Sequence, residues 1–377
     1  MESTISAVHA KGQVTVTRHR SVNDLLHAMT DLAVPSSQGQ MGHTGIVRRR
    51  TVSGPSLSPS SSWHQWLPKF MSFSHHPRPK KRTHHTSYST RLGDYRLLKL
   101  IGASAKVYSA QHLPNETSVA MKKIELETMA MSCAQFEALY HEVQIMSLSR
   151  HPHLLPILSS FVSGSNLYII TPNMSAGSCL DLLQQRSTGL PESVVACIVK
   201  QVLLGLVYLH ENGLIHRDVK AANLLVEADT GVIKLADFGV SGQLIQGMSQ
   251  RHSFVGSPCW LAPEVLWQRG YDAKVDLWSL GITCIELLRG RPPFHDAKDA
   301  FSVFDHILHD PPPFTTMPPV SSLCRDFIHR GLQKKPRQRW SADDAHQHPW
   351  FQTACLPERF ATLLATDFGR YPLFFRQ

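Results

Sequence analysis

Lys122 closes the run VAMK, Asp218, Lys220 and Asn223 fall within HRDVKAAN, and Asp237 opens DFG. Upstream, LIGASAKVYSA (100–110) has the form of a loop that covers nucleotide phosphates, yet Gly102 is its one glycine where such loops usually carry three. Lysines, a glycine-bearing loop and a set of Asp and Asn oxygens are the parts needed to handle phosphate. The cations meet its charge, and the hard oxygens suit a divalent metal. Whether one glycine leaves a damaged copy or a working site depends on the rest of the chain.

Four signatures follow in order: VAMK with Lys122, and Glu142 twenty residues on; HRDVKAAN with His216, Arg217, Asp218, Lys220 and Asn223; DFG at 237–239; APE at 262–264. Each alone recurs by chance. Four in this order and spacing are specific, and the set resembles the eukaryotic protein kinases over residues 94–351. The resemblance implies transfer of the γ-phosphoryl group of ATP, a reaction governed by positioning and charge stabilisation. Lys122 would hold the α- and β-phosphates, and Glu142 would fix that lysine by an ion pair. Glu142 lies three residues from Leu139 and Ile145, beside the apolar stripe of its expected helix, which favours a paired glutamate over a solvated one. Asp237 and Asn223 offer oxygens suited to Mg2+. Asp218 would orient the attacking hydroxyl and Lys220 would steady the γ-phosphate, with KAAN pointing to Ser/Thr acceptors. Ile101, Gly102, Ala105, Val107, Ala120, Thr171 and Met174 complete the expected ATP pocket.

FVGSPCWLAPEVL (254–266), with ADFGVS and GYDAKVDLWSLGIT, narrows the resemblance to the sterile-20-like, germinal-centre group, and within it to the oxidative-stress-responsive kinases. That family reads G-T-P where this chain has Gly256-Ser257-Pro258. Serine keeps the hydroxyl with which the family's threonine bridges the catalytic Asp and Lys. Ser253 matches the family's activation-loop threonine, and a phosphate there could pair with Arg217. Glu264 and Arg339 would anchor the activation segment, Asp276 would brace the catalytic loop, and His216 would pack beneath it. The family's C-terminal docking domain does not follow Phe351, so its ion-cotransporter substrates are not expected. Protein substrates with Ser or Thr acceptors, and an upstream activating kinase or a scaffold, are. The alternative is a pseudokinase that activates a partner; such proteins usually lose Lys, Asp or DFG, and this chain keeps all three. In the glycine loop, Gly102 matches the second glycine, with Ala105 in place of the third and Val107 over adenine. Otherwise it matches the first, and the loop is two residues short. The first alignment keeps strand lengths intact.

These residues need strands and helices to hold them. DYRLLKLIG, KVYSAQH, SVAMKKIEL and NLYIIT read as strands, and 136–149 as a helix. ESVVACIVKQVLLGLVYLHENG sets Val195, Ile198, Val199, Val202, Leu206 and Leu209 on one stripe before Gly213; DLWSLGITCIELLRG repeats the design and ends at Gly290. The expected fold is α+β and bilobal, a small strand-rich lobe followed by a larger helical one. A tail (1–93) precedes the domain at 94–351, and a short extension (352–377) follows it.

With 377 residues and 42% apolar content the chain can build a sizeable core. Residues 1–90 hold eleven Lys/Arg against three Asp/Glu, so nearly all of the net charge of +9 lies in a Ser-, His- and Pro-rich stretch expected to be mostly disordered. Nucleic-acid binding is therefore not expected, since no recognition module accompanies the charge. Two short exceptions stand out there, a brief helix at 21–34 and the aromatic WHQWLPKFMSF (63–73). Seven scattered cysteines without a C-x-x-C pair argue against zinc or a disulfide framework and for a reducing compartment. Neither a transmembrane run nor a secretory leader is read, which implies a cytoplasmic chain, and PRPKKR (77–82) adds a nuclear import reading. RRRTVSGP (48–55) resembles the motif that 14-3-3 proteins read when its serine, here Ser53, is phosphorylated.

Overall fold

The computed structural model describes the backbone of residues 5–10, 13–18 and 242–243, and describes fully 88–102, 106–126, 143, 147–237, 257–267, 270–314 and 317–367. The chain divides into two units, 1–60 and 61–377. In the first, β1 (Ile5–Ala10) pairs antiparallel with β2 (Gln13–Arg18), and Ala10 faces Gln13 across a two-residue connection. The hairpin falls within the leader expected to be mostly disordered. Its signal is a pair of β-branched runs around Lys11-Gly12. The stretches 21–34 and 63–73, and Ser53, lie outside the described residues.

The second unit opens with a five-stranded antiparallel sheet. Its strands are β3 (Tyr95–Leu100), β4 (Lys106–His112), β5 (Thr117–Glu125), β6 (Ser159–Ser163) and β7 (Asn166–Pro172), in the order β3-β4-β5-β7-β6. Each face carries a buried cluster. Met121, Tyr168 and Ile170 pack with Tyr95, Val119 and Phe161 on one side, while Leu167 and Ile169 pack with Leu126 and Val143 on the other. Val143, Ser147 and Leu148 are helical, so the described part of 136–149 agrees with the helix expected there.

The helical lobe follows. It contains α1 (Cys179–Gln184), α2 (Glu192–Glu211), the short strands β8 (Leu214–Ile215), β9 (Leu224–Val226), β10 (Ile233–Leu235) and β11 (Gly242–Gln243), then α3 (Pro263–Leu266), α4 (Lys274–Arg289), α5 (Ala300–His309), α6 (Ser322–Gly331), α7 (Ala342–His346) and α8 (Pro357–Asp367). The stripe expected on α2 is buried in full. By length and composition α2 could cross a membrane, although its sequence was read as having no such run; 67% of its most apolar window is buried inside the protein, so it is a core helix. α4 is buried from Val275 to Leu288 and stops at Gly290, whose φ of +93° is the left-handed cap that glycine adopts at least cost. α8 lies past the last kinase-like motif and folds back through Phe360 and Leu364. It crosses the β9–β10 turn so closely that a Cβ on Gly231 would sit 2.1 Å from the Pro357 carbonyl oxygen.

Candidate active site

The loop 216–223 between β8 and β9 is held from below by α4. Asp276, fully buried, accepts the backbone N–H groups of His216 (2.9 Å) and Arg217 (2.7 Å) and a ring N–H of His210 (2.8 Å). Burial opposes charge on this carboxyl, but His210 and these donors outweigh it and hold its pKa below the usual range. Thr283 donates to the Val219 carbonyl at 3.0 Å, and Glu286 accepts the Ala221 N–H at 3.0 Å. With Ser279, which donates to the Trp260 carbonyl at 2.8 Å, these residues occupy one face of α4 at steps of three, four and three. His216 is buried, takes the Asp218 N–H on Nδ1 at 3.3 Å and donates from Nε2 to the Ala236 carbonyl at 3.1 Å. Burial lowers its pKa, so it is a neutral brace.

That frame delivers a closed ring of polar groups. Asp218 accepts on Oδ1 from the Ser257 hydroxyl at 2.9 Å, and on Oδ2 from Lys220 at 2.7 Å and Asn223 at 2.9 Å. Lys220 also donates to Ser257 Oγ at 2.6 Å, so the serine bridges acid and ammonium. Burial would raise the Asp218 pKa; Lys220 and Ser257 overcome it and keep the carboxylate ionised.

The sheet presents the opposite wall. Val107 lies opposite Lys122, and Ala120 opposite Thr171, so the four side chains share one face. Lys122 Nζ stands 3.8 Å from the half-exposed carboxylate of Asp237, which places that face over the helical lobe. Arg217 (φ +71°) and Asp237 (φ +65°) both take left-handed backbone, a strain on the order of 1–2 kcal/mol each. The N–H groups of Ile101 and Gly102 both donate to the Val107 carbonyl, at 2.7 and 3.2 Å, extending the β3–β4 pairing past Leu100. Met174 packs with Leu155 and Ala236, directly beside Asp237. Arg339 and Glu264 form a buried two-bond pair at 2.7 and 3.2 Å.

Glu142, Ala105 and Ser253 lie outside the described residues. Glu286, Trp260 and His210 were not found in the sequence. Trp260 donates its indole N–H to Glu286 at 3.2 Å, tying the segment after Ser257 to the catalytic loop. For Glu286 the available signal is the polar stripe on α4, an otherwise apolar helix; His210 and Trp260 lie on other elements.

A protein kinase domain model matches residues 95–351. Serine/threonine-protein kinase fray2 of Dictyostelium discoideum is 37% identical over 289 residues, 75% of this chain and 27% of that protein. Serine/threonine-protein kinase sid1 of Schizosaccharomyces pombe is 38% identical, covering 71% of this chain and 56% of its own length. Serine/threonine-protein kinase ppk11 of the same yeast is 39% identical, covering 69% and 82%. The chain thus spans about half or less of the length of several curated relatives it matches, and most of ppk11. With germinal center kinase 3 of Caenorhabditis elegans also 37% identical, the chain belongs to the protein kinase family, in its sterile-20-like, germinal-centre group of serine/threonine kinases.

Proposed function

We propose that the domain at 94–351 moves the γ-phosphoryl group of ATP onto Ser or Thr hydroxyls of proteins, within a signalling cascade. The observation that carries this is the ring of Asp218, Lys220, Asn223 and Ser257 facing Lys122 and Asp237. Asp218 stays ionised at neutral pH and can accept the hydrogen bond of an acceptor hydroxyl, turning its oxygen lone pair towards phosphorus. Lys220 keeps one charge beside that reaction centre, and Ser257 fixes the distance between the two. Lys122 supplies the charge for the non-transferred phosphates. The donor set fits Mg2+: Asp237 is a half-exposed carboxylate, and Asn223 directs its amide N–H to Asp218, reserving its carbonyl oxygen as a hard ligand. When bound, Mg2+ neutralises charge that develops on the phosphate oxygens. Incubation with labelled ATP, Mg2+ and a generic basic protein tests the reading. Label on Ser or Thr that vanishes in Asp218→Asn supports it, and no transfer from well-folded protein rejects it.

Regulation extends the proposal. A phosphate on Ser253 would pair with Arg217, and Ser253→Ala would then block activation by cellular kinases. Phosphorylated Ser53 would bind 14-3-3, a partner tested by pulldown with a 45–60 peptide with and without the phosphate. The protein would act in the cytoplasm, with 77–82 as a nuclear address that a fluorescent fusion lacking those residues checks.

A further inference from the structure

Two thiols far from the ring above meet where α8 joins the helical lobe. Cys197 lies in α2 and is 3% exposed; Cys355 lies in the link that leads into α8 and is partly exposed. The two thiols are near enough to influence each other's ionisation, Cys355 helping to raise the pKa of Cys197. The backbone fixes that meeting, because the Cys355 N–H donates to the Ser193 carbonyl at 3.0 Å, one turn before Cys197 on the same helix. Gln201, one turn after, donates to Cys197 Sγ at 3.6 Å and to the Gly231 carbonyl at 3.2 Å. The pair is thus clamped from both sides against the turn that α8 covers.

We propose that Cys197 and Cys355 are an oxidisable dithiol, converted by hydroperoxide into a disulfide that fastens α8 to α2. Cys355 is the attacking sulfur. It is the more accessible of the two, and it lies two residues before the N-terminal end of α8, where the helix dipole favours a thiolate. Burial leaves its pKa raised, though Cys197 and the nearby Arg359 offset part of that rise. Cys197 is pushed up to about 12, by burial first and then by Cys355, so Cys355 ionises first. A Cys355 sulfur lone pair attacks one peroxide oxygen, the O–O bond breaks, and the departing hydroxide leaves as water with the thiol proton. Cys197 then attacks the sulfenic sulfur, the S–O bond breaks, and a second water carries away its proton. Two thiols and one hydrogen peroxide give one disulfide and two waters, with both electrons passing to the peroxide.

Other thiols among the described residues are worse placed. Cys284 and Cys324 interact with each other but are fully buried, Cys179 is fully buried, and Cys259 is partly exposed with no other cysteine acting on it.

The test is peptide mapping of the full chain after graded hydrogen peroxide, alkylation of remaining thiols and proteolysis without reductant. A single cross-linked species joining the Cys197 and Cys355 peptides is expected, two hydrogens lighter than their sum and released by dithiothreitol. Two alkylatable thiols per chain are lost with it. Cys355→Ser, a change at a partly exposed position, should abolish the link. Cys197→Ser should leave Cys355 as a sulfenic acid that dimedone traps. Conversion of Cys355 to sulfinic acid without a link, links from Cys355 to Cys133 or between chains, or no oxidation of either thiol would each overturn the proposal.

Discussion

Ser257 is where a single oxygen matters most. Its hydroxyl both receives from Lys220 and donates to Asp218, so Ser257→Ala leaves an ammonium and a carboxylate without their spacer. We expect kcat to fall by about 10- to 100-fold in that variant, the scale of one lost positioning hydrogen bond near the reacting atoms, and to stay within about threefold in Ser257→Thr. Phosphate-transfer kinetics on the two variants separates a hydroxyl requirement from a size requirement. Lys122→Arg keeps the charge but changes its geometry, Asp218→Asn keeps the shape but removes the charge, and each should lower kcat by about 10²- to 10⁴-fold with unchanged melting temperature. These residues were legible in the sequence because short fixed motifs surround them. Ser257 was legible through its place before Pro258 and the APE run.

At the scale of elements, periodicity carried the reading. β4 matches KVYSAQH residue for residue, and α2 and α4 lie where their apolar spacing put them. β6 was not found, since Ser159, Ser160 and Ser163 flank its one buried aromatic and resemble a loop. Glu286 was missed for a related reason: an acid within a helix reads as a solvent-facing residue, whereas here it is 2% exposed. Burial raises its pKa to about 7, with the Ala221 N–H, the Trp260 indole and Lys220 acting against that rise. A carboxyl whose folded pKa is raised contributes its full stability below the ordinary carboxylate range, and loses it as pH climbs through about 7. The loss amounts to about 3 kcal/mol for a rise of this size. Glu286→Gln keeps an acceptor for both donors and removes the titration. Urea unfolding of the variant between pH 5 and pH 8 should therefore show a flatter stability profile, with the variant the more stable at pH 8. Parallel profiles would assign the pH dependence elsewhere.

For the whole molecule, two contacts hold distant parts of the sequence together. The Arg339–Glu264 pair is buried and joins the segment after α6 to α3. Glu264→Ala should cost about 3–5 kcal/mol by stranding the guanidinium, read as a lowered urea midpoint. Gly231 combines a φ of +67° with the 2.1 Å approach of the Pro357 carbonyl to any added Cβ. Gly231→Ala should destabilise by about 2 kcal/mol and release α8 before the lobe unfolds. Hydrogen exchange would then rise in 357–367 and stay unchanged in α4. The packing of α8 was left open by its sequence, because two buried residues, Phe360 and Leu364, in eleven make too weak a stripe to name a partner.

The stripe on α4 has an evolutionary consequence. Asp276, Thr283 and Glu286 grip backbone atoms of the catalytic loop, and Ser279 grips the Trp260 carbonyl. A peptide group is the same whatever side chain it carries, so no substitution in the loop can restore a grip lost from the helix. Paired changes between helix and gripped backbone, the ordinary route by which contacting residues drift together, are closed at these contacts, and only the side-chain partners His210 of Asp276 and Trp260 of Glu286 remain free to vary. Suppressor screens starting from Asp276→Ala should then recover reversion and little else, while the apolar neighbours Leu277, Leu280 and Ile285 exchange among aliphatic types.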